Sequence, residues 1–172
     1  GLSSMNINGN YEINFGGTAY INRDGKDSSG NEHGEGFYGY SGNGSGTSIT
    51  GTVVHNVYGG YIKNYYGIHG KNTISNTKIV HNISGGTIEN YYGAGIESTT
   101  KVTTAIENNF SGGTIKGVIY CAGTKDSKMQ IAKVVNNISG DVVFETEFRG
   151  AYNGVVPIVE NNISGGTFKT TY

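Results

Sequence analysis

Asn82-Ile-Ser-Gly-Gly-Thr-Ile88 decides the reading of this 172-residue chain, because the phrase recurs. Relatives stand at Asn56-Val-Tyr-Gly-Gly-Tyr-Ile62, Asn109-Phe-Ser-Gly-Gly-Thr-Ile115, Asn137-Ile-Ser-Gly-Asp-Val-Val143 and Asn162-Ile-Ser-Gly-Gly-Thr-Phe168. A weaker copy is Asn14-Phe-Gly-Gly-Thr-Ala19. The anchoring asparagines lie 42, 26, 27, 28 and 25 residues apart. A fixed period of this length marks a stacked repeat, in which one unit cannot bury its own apolar face and its neighbours do so. The outlying 42 resolves into a 28-residue coil plus a 14-residue polar loop insertion at Asn22–Glu35, since Phe37-Tyr-Gly-Tyr40 aligns with Tyr65-Tyr-Gly-Ile68 and Tyr91-Tyr-Gly-Ala94.

Aligned on the asparagines, the copies form apolar columns. Val53, Ile79, Ile106, Val134 and Val159 make one; Phe15, Val57, Ile83, Phe110, Ile138 and Ile163 make a second. Ile62, Ile88, Ile115, Val143 and Phe168 are expected to make a third. The runs are short, β-branched, alternating and broken by Gly-Gly or Asn, which is strand and turn chemistry rather than helix chemistry. The spacing therefore predicts an all-β fold over residues 1–172: one parallel β-helix (β-solenoid) of about six coils, roughly 26 residues each, about 29 Å long at one strand spacing per coil. A β-sandwich could show the same local texture but would not require one phrase five times in register. A leucine-rich repeat lacks its leucine frame here. Asn14, Asn56, Asn82, Asn109, Asn137 and Asn162 are expected to bond amide to amide as a structural ladder.

The phrases at Asn82–Ile88, Asn109–Ile115 and Asn162–Phe168, with Tyr-Tyr-Gly at 65–67 and 91–93, resemble the Asn-x-Ser-Gly-Gly-Thr repeat regions of large secreted bacterial surface proteins, a right-handed parallel β-helix class. The resemblance implies an extracellular or cell-surface setting. It covers nearly the whole chain from Asn14, and the copy at 137–143 departs from the pattern.

Composition narrows the function. Gly, Asn, Ser and Thr make up 81 of the 172 residues, and charged residues only 15%. Twelve Lys and Arg against thirteen Asp and Glu leave no excess to neutralise phosphates, so no nucleic-acid partner is expected. No run approaches the ~18–20 apolar residues of a membrane span. One cysteine excludes an intrachain disulfide, and Cys121 reads as a small buried apolar residue. The stretch Gly1–Asn6 lacks the features of a signal peptide. The chain stops at Thr170-Thr-Tyr172, partway through a coil, so its partners are expected to be neighbouring repeats of a longer chain, or further copies of itself stacked end to end as a filament.

No cofactor and no catalytic residue is expected. Carboxylates are sparse and fall mostly in different columns: Glu89, Glu97, Glu107, Asp126, Asp141, Glu145, Glu147 and Glu160. A glycoside hydrolase needs two flanking the bond. Asp24, Asp27 and Glu32 in the insertion are weak candidates for Ca²⁺, since hard oxygen ligands sit there in a glycine-rich loop but without EF-hand spacing. His55 and His81 align one coil apart, followed in their column by Asn108, Asn136 and Asn161, and read as a polar turn position. The stronger lead is aromatic. Tyr38, Tyr65, Tyr66, Tyr91 and Tyr92 are expected to stack, one of each pair inward and one outward, giving a stripe suited to glycans or a protein partner. A single interrupted threonine column (Thr87, Thr114, Thr167) is too irregular for ice binding. Four Asn-x-Ser triplets lie in the repeat phrase itself and a fifth begins at Asn43. These features point to a structural or adhesive extracellular module, with glycan binding as the alternative.

Overall fold

A computed structural model of the chain describes residues 6–21, 37–42, 48–70, 73–74, 77–94, 101–123, 129–152 and 154–170. The insertion 22–35, with Asp24, Asp27 and Glu32, lies outside these residues, as do Asn43, Glu97 and Asp126. Among the described residues there is no helix, and every strand pairing is parallel. The fold is a parallel β-solenoid.

Each coil runs along three principal faces. The first stacks Tyr11–Phe15, residues 53–57, 79–83, 106–110 and 134–138, and Val159–Ile163, residue on residue. The second carries Tyr20–Ile21, then 61–62, 87–88, 114–115, Val143–Phe144 and Thr167–Phe168. The third carries Phe37–Gly42, 65–70, 91–92, Ile119–Tyr120 and Phe148–Arg149. A shorter ladder through Thr73–Ile74, Lys101–Val102, residues 129–131 and Gly154–Val155 leads into the first face. About four turns, those carrying Val53, Ile79, Ile106 and Val134, are covered on both sides. The expected six coils include the first and last copies, which are end rungs with a described neighbour on one side of the first face.

Period-two alternation on the first face sends Val53, His55 and Val57 inward and Val54 and Asn56 outward, and later coils repeat this. Val53, Ile79, Ile106 and Val134 are at most 2% exposed, and Val57, Ile83, Phe110 and Ile138 at most 1%. In the end rung, Val159 rises to 39% and Ile163 to 58%. Between the first two faces the chain turns at the second glycine of each Gly-Gly pair, with φ near +80° at Gly60, Gly86 and Gly113. L side chains rarely adopt that conformation.

The third apolar column corrects the expectation in one copy. Ile115 pairs with Phe144, not Val143, and Phe144 pairs with Phe168. From Asn109 to the inward Ile115 is six residues, whereas from Asn137 to the inward Phe144 is seven. The corner at Gly140-Asp141 takes up the extra residue: Gly140 adopts φ +61°, Val142 is fully buried and Val143 faces outward in the threonine column. Phe144 is also fully buried, 5.0 Å from the Phe168 ring and 5.4 Å from Phe110.

Candidate functional site: two amide ladders and a tyrosine row

On the outer side of the first face, Asn56 Nδ2 donates to Asn14 Oδ1 at 2.9 Å and Asn82 Nδ2 to Asn56 Oδ1 at 2.8 Å. Asn109 donates to Asn82, Asn137 to Asn109 and Asn162 to Asn137, all at 2.8–2.9 Å. The six asparagines thus form one continuous chain in which each coil donates to the one before it. The ladder lies on the outer surface, not inside the solenoid: Asn56, Asn82, Asn109 and Asn137 are half-buried, and the ends Asn14 and Asn162 are exposed. Asn90 repeats the motif by donating to Asn64 at 2.9 Å.

A second polar column lies inside. His55, His81, Asn108 and Asn136 are all fully buried in mid-strand, which corrects the reading of this column as a turn position. Each sits directly before an outward Asn, so alternation turns it inward. His55 Nδ1 and His81 Nδ1 are 3.1 Å apart, and the Tyr65 hydroxyl lies 2.9 Å from His81 Nδ1 and 3.3 Å from His55 Nδ1. His81 Nε2–H donates to the Gly93 carbonyl at 2.9 Å, which leaves its Nδ1 as the acceptor. Burial lowers both histidines, His81 to about 4 and His55 well below the ordinary value, with the nearby His81 adding to the effect on His55. His55 Nε2 is buried without a hydrogen-bond partner among the described residues.

Farther along, Asn108 Nδ2 donates to Asn136 Oδ1, and Asn136 Nδ2 to Asn161 Oδ1, both at 2.8 Å. This inner chain runs opposite to the outer one. The Tyr91 hydroxyl completes it by donating to Asn108 Oδ1 at 2.6 Å. The inner polar column explains a motif. In Tyr-Tyr-Gly, the glycine lies against the polar column: a Cβ at Gly67 would collide with the His81 ring, and one at Gly93 would sit 2.8 Å from Asn108 Oδ1.

Tyr65 and Tyr91 are therefore interior residues. Both are 0% exposed, and burial pushes their hydroxyls well above the ordinary range. They continue a ring stack from Phe37, at 5.0 and 4.9 Å, and their hydroxyls serve the buried histidines and asparagine. This removes them from the expected contact surface. Phe37 and Phe148 stand in the same column.

Tyr66 and Tyr92 are the second members of their pairs, stacked at 5.1 Å; Tyr66 is 6% exposed and Tyr92 half-buried. Tyr38 pairs with Tyr66 through its backbone, and its side chain lies outside the described residues. The row continues through Tyr120, edge-on to Tyr92 at 5.9 Å, to Tyr152, stacked on Tyr120 at 4.6 Å. The Arg149 guanidinium lies 4.3 Å from the Tyr152 ring centre and pairs with Glu147 at 2.6 Å. Tyr152 is not legible in the sequence as a member of this row, because it stands three residues beyond Arg149, the strand partner of Tyr120. Stacking of Tyr66 on Tyr92 and of Tyr120 on Tyr152 turns those ring faces toward neighbouring coils.

Three outer carboxylates pair with lysines: Glu107 with Lys78 at 2.9 Å, Glu160 with Lys133 at 2.8 Å and Glu145 with Lys169 at 2.9 Å. Glu107 and Glu160 share a column with Val135 between them. The Lys78 ammonium and then the Asn109 amide hold Glu107 below the usual carboxylate range. Among the described residues no three His, Cys, Asp or Glu side chains gather as a metal site, and no helix is long and apolar enough to cross a membrane. Cys121 is fully buried, which pushes its thiol up. No protein-family model matches the chain, and neither the curated proteins nor the solved structures give a match.

Proposed function

We propose that this chain is a structural module of an extracellular or cell-surface protein, a stiff β-solenoid spacer that can extend by addition of further rungs. One observation carries the reading. Among the described residues, the recurring polar and aromatic side chains make coil-to-coil contacts, in two amide ladders and two ring rows. Such groups add directional bonds along the axis to the apolar columns. Small-angle scattering tests it: a particle of one fixed shape, about 29 Å along the stacking axis, is expected, and a flexible or expanded chain would contradict it.

The second reading is a glycan-binding face on the row Tyr92, Tyr120 and Tyr152. It is favoured by the half-buried rings and by Arg149 held beside them. Exposed aromatic and amide groups suit sugar rings, although stacked tyrosines present edges rather than faces. A glycan screen with the chain and its Tyr92→Ala/Tyr120→Ala variant separates the readings. Retention by the parent alone supports binding, and no retention by either leaves the spacer.

A further inference from the structure

The last rung of the first face offers a partner surface whose chemistry the ladders specify. The strand Val159–Ile163 pairs with residues 134–138, and among the described residues nothing pairs with its other edge. All five of its residues are exposed, including the apolar Val159 and Ile163 that would occupy core columns in any earlier coil. A shallow hollow of about 520 Å³ lies there, lined by Asn161, Asn162, Ile163 and their neighbours.

The opposed polarities of the two ladders end side by side on this rung. In the inner ladder Asn161 Oδ1 already accepts from Asn136, so the group it turns to the next rung is its Nδ2 donor. In the outer ladder Asn162 Nδ2 already donates to Asn137, so the group it turns outward is its Oδ1 acceptor. An incoming strand must therefore bring an acceptor at the inner position and a donor at the adjacent outer one, flanked by apolar residues to cover Val159 and Ile163. Asn-Asn meets both demands, as it does in Ile106-Glu-Asn-Asn-Phe110 and Val134-Val-Asn-Asn-Ile138. The chain's own first rung does not. Laid in the same register, Tyr11-Glu-Ile-Asn-Phe15 brings Asn14 to the outer position but sets Ile13 over the Asn161 donor.

We infer that this edge is a docking surface for a parallel β-strand of the pattern apolar-x-Asn-Asn-apolar, supplied by another solenoid segment of the same repeat type, rather than for the first rung of a second copy. This rests on the reading of the chain as a module that extends by rung addition. It refines that reading by replacing simple self-stacking with a rung that carries Asn at the inner position. A donor buried without an acceptor weakens association by about tenfold or more, which sets the size of the discrimination.

The test uses the full chain and labelled peptides in fluorescence anisotropy. One peptide copies residues 159–168; a second has Ile in place of its first Asn; a third copies residues 11–20. Tighter binding of the Asn-Asn peptide than of either Ile-bearing peptide, by about tenfold, is the expected result. Asn161→Ile, at an exposed end position where folding is checked by circular dichroism, should reverse that order. Equal binding of all three, or no binding, overturns the inference and leaves the rod intact. Sedimentation of the unmodified chain as head-to-tail oligomers, strengthened by Asn161→Ile, would assign the edge to a second copy instead. A flexible or expanded chain in scattering would fail the underlying reading separately.

Discussion

His55 and His81 keep their places only while uncharged. Among the described residues their neighbours are Tyr11, Phe37, Tyr65 and Tyr91 rings and the Gly93 carbonyl, with no carboxylate to compensate a proton. Unfolded histidine titrates near 6.5. In the fold His81 titrates at about 4 and His55 well below its ordinary value. The unfolded chain therefore binds protons first as pH falls. The stabilisation is complete above pH ~6.5 and is lost progressively toward pH ~4, by roughly 3 kcal/mol for His81 alone. Glu107, held low by Lys78 and Asn109, adds a loss of the same sign that begins at lower pH. Replacing both histidines by asparagine, the residue that later coils use in this column, should flatten the slope between pH 6.5 and 4.5. Urea midpoints at the two pH values measure it, and an unchanged slope would reject this account. A sequence reader sees two histidines one period apart but not their burial. The outward ladder must first be placed to know that its preceding residue points in.

At the scale of the element, corners and strands obey different tolerances. Gly86 turns at φ +80°, and a Cβ there would lie 2.7 Å from the Gly59 backbone of the preceding coil. Gly17 has φ +63° with open space around it. Gly17→Ala should cost only the left-handed penalty of about 1 kcal/mol, whereas Gly86→Ala adds a clash between rigid backbones and should cost ~3 kcal/mol or more. Thermal melts of the two variants give the comparison, and equal losses would mean that the coils yield at the corner. The same division explains what could be read in advance. Ile79, Ile83 and Ile106 fall into columns because strand pairing is in register, so a linear alignment places them correctly. Val143 was misplaced because the corner at Gly140-Asp141 absorbs one residue, and alignment through a corner carries that error into the next strand. Likewise, which tyrosine of Tyr65-Tyr66 faces inward depends on how the preceding corner delivers the chain to the third face.

For the whole molecule, a stack in which each coil touches only its neighbours distributes stability along its axis. Ile106 is fully buried between two coils, whereas Val159 at the last rung is 39% exposed. Ile106→Ala should cost about 2–5 kcal/mol and Val159→Ala well under that, because only the first opens a cavity closed on both sides. Denaturant unfolding of each variant checks the order. Similar costs would imply that the end rung is covered in solution. The ion pairs Lys78–Glu107 and Lys133–Glu160 span the outer surface and contribute at most about 1 kcal/mol each.

The two amide ladders also have an electrical consequence. An α-helix adds its peptide dipoles head to tail and so gains partial charges at its ends. Here the outer asparagines of the last three coils point their donors toward the first coil, while the inner Asn108, Asn136 and Asn161 point theirs the other way. Within those coils the side-chain dipoles oppose one another, and the strands themselves carry little net dipole. Added rungs of the Asn-Asn type lengthen such a rod without charging its tips, so no electrostatic penalty accumulates with length.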